Sequence, residues 1–142
     1  MRLVVDASVA LKWFFRDQAD EAGADAALDI LRAHVAGRHS IMQPPHFLAE
    51  VCAALAREAP QTMTENLRDL LDLAIPTRSD AAIFARAMQL SHALDHHLFD
   101  TLYHAVALET EAAVLVTADD RYLNKAQGFG QLMRLSDWRV ER

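Results

Sequence analysis

Four acidic side chains spread along the chain have the chemistry that a divalent metal site requires. They are Asp6, Glu50, Asp100 and Asp119. Carboxylates held close together repel one another, and a bound divalent cation relieves that repulsion. Ligands that are all oxygen atoms favour Mg²⁺ or Mn²⁺ over zinc, and Mg²⁺ keeps several waters that leave room for a substrate phosphate. Such a metal lowers the pKa of a bound water and stabilises charge on a phosphodiester during cleavage.

Three of these acids also have a purely structural interpretation as residues at helix starts. Asp6 and Asp119 each follow a short apolar run and precede a helical pattern, where an aspartate caps the first turn. Asp100 lies near the start of another helical pattern, where the helix dipole favours an acid in any protein. Taken singly, these positions leave both interpretations open.

Glu50 is harder to explain without a partner, because it lies inside the apolar helical stretch LAEVCAAL. Burying a carboxylate there is costly unless another group pairs with it. Ala53 and Ala54 on the same stripe are small and leave room for a ligand. The alternative is a narrow solvated stripe on which Arg57, one heptad later, balances the charge. Glu50 therefore contributes most to the hypothesis of a shared metal.

Apolar periodicity predicts the elements that would position these acids. Short apolar runs at 3–5 and 113–117 predict buried strands that end beside Asp6 and Asp119, and weaker strand patterns occur at 40–43, 74–77 and 132–135. Helical patterns cover about 19–36, 44–55, 62–73, 80–93 and 98–111, and a short helix begins at Asp119.

Helices that alternate with short, wholly apolar strands are typical of a parallel sheet covered on both faces. The predicted fold class is therefore an α/β protein, a three-layer α/β/α sandwich. Sites in such folds gather at the carboxyl ends of the strands, where Asp6 and Asp119 fall. With no repeat or linker in the sequence, residues 1–142 are expected to form a single domain.

The overall composition narrows the class of protein. Of the 142 residues, 52% are hydrophobic and 24% are charged, as in globular proteins. The single cysteine, Cys52, rules out an internal disulfide. The sequence has neither a recognisable targeting segment nor an apolar run near the ~20 residues of a spanning helix, so a cytoplasmic location is expected. A net charge of −6 weakens a nucleic-acid interpretation without excluding it, because metal ions can neutralise concentrated acids.

Three stretches together resemble the PIN domain, and within it the VapC-type toxins of bacterial toxin–antitoxin pairs. They are VVDASVALKWF, LAEV and LFDTLYHAVALETEAAVLVTADDRYL, and they occur in the family's order over nearly the whole chain. The most specific part is the helix that begins with an acid followed by Thr, Leu and Tyr, together with the later Thr-Ala-Asp.

The resemblance implies a magnesium-dependent endoribonuclease whose acidic quartet is Asp6, Glu50, Asp100 and Asp119. It also implies supporting hydrogen bonds from Ser8 and Thr117, and it leaves Asp120 as an outer-shell candidate. The implied fold is PIN-like, with a roughly five-stranded parallel sheet, commonly as a homodimer. The implied partners are an RNA substrate and a cognate antitoxin whose tail occupies the active-site groove.

Substrate phosphates require cations near the acids. Lys12 and Arg16 follow Asp6, and Arg121 and Lys125 follow Asp119, each pair at the i,i+4 spacing of one helix face. These four are candidate substrate-binding residues, and ordinary solvated helix faces are the alternative. Trp13 and Phe14 could stack a base, but core or dimer packing is the preferred interpretation.

The histidines depart from the family pattern. His104, one turn after Asp100, is predicted to lie on a solvated helix surface, with a position near the metal as the alternative. His92, His96 and His97 are interpreted as a polar connection, because the i,i+4 pair His92 and His96 has no evident third zinc ligand.

The predicted function is hydrolysis of RNA phosphodiesters by metal-activated water, in a toxin. Alternatives are a PIN nuclease of RNA processing, or one acting on DNA, and a non-catalytic metal-binding PIN module. A phosphotransferase with Asp6 as nucleophile is disfavoured, because Ser8 stands where that chemistry usually needs a second acid.

Overall fold

The computed structural model describes residues 1–15 and 21–139, with only the backbone described at 21 and 22. A parallel sheet lies at its centre. Its strands are β1 (Arg2–Val5), β2 (Ser40–Ile41), β3 (Ala113–Thr117) and β4 (Leu132–Arg134), in the order β2-β1-β3-β4. All three neighbouring pairs are parallel. The two central strands, β1 and β3, are those that end beside Asp6 and Asp119.

Both faces of the sheet are covered. Leu3, Val4 and Val5 of β1 are all fully buried, although successive residues of a strand point to opposite faces. Wholly apolar strands of this kind need a layer of helices on each face. The predicted three-layer α/β/α architecture is confirmed.

The helices match the predicted segments closely. They are α1 (Ala7–Ala10), α2 (Glu21–Val35), α3 (Phe47–Glu58), α4 (Met63–Asp72), α5 (Ala81–Leu94), α6 (Leu98–Leu108) and α7 (Asp120–Ala126). Helix α6 packs on both central strands and against α5. Strand β3 has the predicted bounds, whereas several helix ends differ by one to three residues, which is common where ends fray. The predicted start of the 19–36 helix lies outside the described residues.

The predicted edge strand at 74–77 is wrong, and the described part of the chain has four strands where about five were expected. Only an isolated bridge between Gln43 and Thr77 remains. Pro76 has no N–H to donate to a ladder. Ala74 has φ 49°, in the left-handed region, which is incompatible with an extended strand.

At the carboxyl end of β1, the Gln43 side chain forms the hydrogen bonds that β2 forms with the earlier part of the strand. Its Nε2 donates to the Val5 carbonyl at 2.7 Å, and its Oε1 accepts from the Val5 N–H at 3.0 Å. Because Gln43 is fully buried, this double hydrogen bond is shielded from water. The residue immediately before Asp6 is thereby held in place.

Buried apolar side chains form a cluster that runs from β1 to Trp138. Trp13 belongs to it, and its indole donates to the Ala27 carbonyl at 2.9 Å. The predicted core position of Trp13 is confirmed. No helix in the described ranges is both long enough and apolar enough to span a membrane.

Candidate active site

Asp6 caps α1 and is also held by two hydroxyl groups. Its Oδ1 accepts from the Val9 N–H at 3.3 Å, as an N-cap does. Ser8 Oγ donates to Oδ1, and Thr117 Oγ1 donates to Oδ2. An N-cap alone requires only one of these contacts, so the hydroxyl groups fix the carboxylate more firmly than capping demands.

The buried position makes a negative charge on Asp6 unfavourable. Burial raises its pKa to about 6 from the ordinary 3.8, although the hydrogen bonds from Ser8, Thr117 and Val9 act in the opposite direction. The charge of Asp119 raises the pKa further. A cation bound beside the carboxylate would offset both effects.

Asp119 shares Thr117 with Asp6. The Asp119 N–H donates to Thr117 Oγ1 at 2.9 Å, while the Thr117 hydroxyl donates to Asp6. Asp119 also caps α7, because its Oδ1 accepts from the N–H groups of Arg121 and Tyr122 at 3.0 and 3.2 Å. Its Oδ2 takes part in neither capping hydrogen bond.

Glu50 has partners that the sequence did not suggest. Its Oε1 accepts from the Tyr103 hydroxyl at 2.6 Å and lies 3.0 Å from His46 Nε2. Burial tends to raise the pKa of Glu50, but the hydrogen bonds from His46 and Tyr103 outweigh it and lower the pKa below its ordinary value. Arg57 contacts Glu58 instead. A tyrosine and a histidine therefore stabilise the Glu50 charge, so the site can hold this carboxylate without a metal.

Asp100 lies in the first turn of α6 and pairs with His96. His96 Nε2 is 2.7 Å from Asp100 Oδ2, and the His96 side chain is only 6% exposed. His92 and His97 are exposed, as expected for a polar connection. His96 departs from that expectation because it contacts an acid of the proposed quartet.

Two tyrosines lie among the four acids. Burial raises the pKa of Tyr103, and the charges of Glu50, Asp6 and Asp100 raise it further. Burial also raises the pKa of Tyr122, again with contributions from Asp100 and Asp6. The charges of Glu50, Asp6 and Asp100 all affect the pKa of Tyr103, and the charge of Asp119 affects the pKa of Asp6. The fold therefore gathers all four acids at one end of the sheet.

The chemistry of this donor set fits a hard cation. Every candidate ligand is a carboxylate oxygen, and Asp6 has a charge that its surroundings disfavour. Within the described residues, no group of three or more His, Cys, Asp or Glu side chains lies close enough to hold a metal ion. The four acids are thus neighbours, but they do not form a closed cage of ligands in the described residues.

Two of the candidate substrate-binding residues, Lys12 and Arg121, line separate clefts. Lys12 lines a groove of about 460 Å³ together with Ala118 and Asp120. Two arginines that the sequence analysis did not single out, Arg134 and Arg139, line the same groove. Asp120, whose side chain is 72% exposed, pairs with Arg134 at 3.1 Å. Basic groups thus lie next to Ala118, which stands between Thr117 and Asp119.

Arg121 lines a second cleft, of about 370 Å³, with His96 and His97. Lys125 has closer partners than a solvated face would offer: its Nζ is 3.3 Å from the Asp95 carbonyl and 3.4 Å from His96 Nδ1. Arg16 lies outside the described residues.

The predicted solvated position of His104 is wrong. His104 is fully buried, with Nδ1 2.8 Å from the Tyr122 hydroxyl and Nε2 2.8 Å from the Gly130 carbonyl. Helix α6 is buried along most of its length, so a polar residue on it needs internal partners rather than water. Its role there is to tie α6 to α7 and to the turn before β4.

His46 and Tyr103 were missed as site residues. His46 precedes Glu50 by one helical turn, so a local signal existed. Tyr103 is separated from Glu50 by 53 positions, and nothing in a local pattern links the two.

Comparison with known proteins identifies the family. The family model described as the PIN domain matches residues 3–128. A chain of the crystal structure of VapBC2 from Rickettsia felis bound to a DNA fragment from their promoter is similar in fold, with a TM-score of 0.67 and 15% identity. The alignment covers 94% of this chain and 97% of that one. A comparison with curated protein sequences finds no significant match. Because the family model spans most of its length, the chain belongs to the PIN domain family.

Proposed function

We propose that this protein is a metal-dependent endoribonuclease and the toxin of a toxin–antitoxin pair. The observation that carries the proposal is the buried Asp6 carboxylate, which Ser8 and Thr117 hold by hydrogen bonds. Asp6 lies with Asp119 at the carboxyl ends of the two central strands. Glu50 and Asp100 lie around the same tyrosine. This arrangement suits hydrolysis that needs no side-chain nucleophile.

Asp6, Glu50, Asp100 and Asp119 would hold Mg²⁺, or Mn²⁺, directly or through water. When bound, the metal supplies an activated water and neutralises charge on the phosphodiester. The chain's own residues keep the carboxylates in place: Ser8 and Thr117 orient Asp6, and Tyr103 and His46 orient Glu50. Asp120 belongs to the outer rim, because it pairs with Arg134.

RNA is the proposed substrate, although the chain has a net charge of −6. Basic side chains occur in both clefts beside the acids, with Lys12, Arg134 and Arg139 in one and Arg121 in the other. Phosphates on either side of the cut bond would meet these groups. The acidic excess then lies partly at the metal site, where cations neutralise it.

An antitoxin and a second copy of the chain are the proposed protein partners, and the cytoplasm is the proposed location. The similar fold of the VapBC2 chain supports the toxin assignment. Phe84 and Met88 of α5 are four positions apart and both exposed, so they form an apolar strip that a partner could cover. A PIN nuclease of RNA processing would use the same site, and a neighbouring antitoxin gene would favour the toxin.

The decisive experiment measures cleavage of RNA by purified protein with Mg²⁺ and with a chelator. Asp6→Asn keeps the helix cap but removes the charge, so we expect at least a roughly 100-fold loss of cleavage with little change in folding. Expression of wild-type protein alone should stop growth, and expression of Asp6→Asn should not.

The matched control is Asp69→Asn, at an exposed position on α4. It should cleave as the wild type does. Cleavage by Asp6→Asn at the wild-type rate, or wild-type cleavage that is indifferent to the chelator, would show that the metal site is misassigned. Metal binding without any cleavage would favour the non-catalytic alternative.

A further inference from the structure

We infer that His96 and Lys125 are positioning residues that hold the Asp100 carboxylate in one orientation. The inference deepens the proposed function and rests on it, because it assigns an outer support to one of the proposed metal ligands. His96 stands between the other two, with Nε2 2.7 Å from Asp100 Oδ2 and Nδ1 3.4 Å from Lys125 Nζ.

The hydrogen-bonding partners on either side of the His96 ring determine its tautomer. A lysine ammonium group can only donate hydrogen bonds, so Nδ1 must accept from Lys125. The ring hydrogen of the neutral imidazole then resides on Nε2, which faces a carboxylate oxygen that accepts. Lys125 therefore selects the tautomer that donates to Asp100.

The backbone of His96 is fixed as firmly as its ring. Its N–H donates to the Ser91 carbonyl at 3.1 Å, and its carbonyl accepts from Ser91 Oγ at 2.6 Å. Asp95, with φ 49°, makes the tight reversal after α5 that brings His96 back toward the helix end. The His96 ring also contacts the ring of Tyr122 edge-on, with centroids 5.0 Å apart.

A buried ring with both nitrogens engaged cannot rotate freely, and it restricts the carboxylate to which it donates. Outer partners of this kind preorganise a ligand, and their loss typically costs roughly 10- to 100-fold in metal affinity or activity. Lys125 thus has a role apart from phosphate binding, whereas Arg121, which lines the adjacent cleft, stays available to substrate.

The test compares Mn²⁺ affinity across a set of variants of the full-length protein. We expect His96→Ala to weaken Mn²⁺ binding by roughly 10- to 100-fold. His96→Gln should retain most of the affinity, because its amide can still donate to Asp100. His92→Ala, at an exposed position in the last turn of α5, should bind as the wild type does. Turnover should fall for His96→Ala while KM for RNA changes little.

A second measurement needs no metal, and its result for the wild type needs no variant. The ¹⁵N resonances of the His96 ring in the metal-free protein, at about pH 8 where an ordinary imidazole is neutral, report which nitrogen carries the hydrogen. We expect Nε2 in the wild type and an increased share of Nδ1–H in Lys125→Met.

The outcomes separate this inference from the proposed function. If Asp100→Asn loses Mn²⁺ but His96→Ala binds it as the wild type does, the positioning role is overturned and the metal site stands. If Asp100→Asn binds Mn²⁺ and cleaves RNA normally, the proposed site itself fails. A hydrogen on Nδ1 in the metal-free wild type would overturn the positioning role by itself.

Discussion

At the scale of single residues, the site depends on side chains that meet from distant parts of the chain. Thr117 reaches Asp6 across 111 positions, and Tyr103 reaches Glu50 across 53. Each contact stabilises a carboxylate that burial would otherwise disfavour. The acids were visible in the sequence, and the family resemblance implied Ser8 and Thr117 as supports, whereas Tyr103, His46 and His96 became visible as their partners only in the folded protein.

His104 makes stability depend on pH. Burial lowers its pKa from the ordinary 6.5, and the nearby positive charge of Arg86 lowers it further. As pH falls below about 6.5, the unfolded chain takes up a proton that the folded chain still refuses. The free energy of unfolding should therefore decrease with falling pH, by at most about 1.4 kcal/mol per pH unit from this group, until the lowered pKa is reached.

Urea unfolding at a series of pH values checks this prediction. His104→Gln should show a smaller loss of stability between about pH 6.5 and pH 5 than the wild type. His92→Gln, at an exposed position, serves as the control and should keep the wild-type slope. Equal slopes for His104→Gln and the wild type would mean that His104 does not resist protonation.

At the scale of elements, a side chain replaces backbone hydrogen bonding at the carboxyl end of β1. The Gln43 side chain pairs with both polar backbone atoms of Val5 at the point where β2 has already ended. Asp6 and helix α1, which follows it directly, therefore start from a rigid strand end. This arrangement explains how a two-residue edge strand can sit beside the candidate site without loosening it.

Gln43→Leu should destabilise the protein, because it leaves the buried N–H and carbonyl of Val5 unpaired. The expected loss is about 1–3 kcal/mol per unsatisfied group, measured by urea unfolding. Gln61→Leu, at an exposed position between α3 and α4, is the control and should change stability by less than about 0.5 kcal/mol. A neutral Gln43→Leu would mean that water or a backbone shift satisfies Val5 instead.

At the scale of the whole molecule, charge is unevenly distributed. The net charge of −6 opposes binding to a polyanion, whereas Lys12, Arg134 and Arg139 line one groove beside the acids. Long-range repulsion is screened within about 10 Å at moderate salt, so the local groove dominates contacts with RNA. Asp120 holds Arg134 in the absence of substrate, and a phosphate would compete for the same guanidinium.

Binding of a single-stranded RNA by Asp6→Asn should therefore weaken as salt increases. If Lys12 and Arg134 each contact a phosphate, Lys12→Gln and Arg134→Gln should each reduce the slope of log affinity against log salt by about 0.7. Fluorescence anisotropy of the RNA in Ca²⁺ buffer measures the affinity at each salt concentration. Arg32→Gln on α2, where Arg32 pairs with Asp29, is the matched control. A slope that is unchanged in Lys12→Gln and Arg134→Gln would exclude this groove as the RNA path.

The sequence by itself determined the fold class, the central strands and the positions of Asp6, Asp100 and Asp119 at strand ends and helix starts. These features follow from periodicity and capping, which are properties of short contiguous windows. Glu50 shows where that reasoning stops, since its apolar surroundings indicated a missing partner without identifying Tyr103.

Only the tertiary structure decided which side chains meet. The burial of His104 and the contact between His96 and Asp100 depend on how α5, α6 and α7 pack together. Packing between elements sets such contacts, and the i,i+4 spacing of His96 and Asp100 does not by itself reveal that they meet at the site.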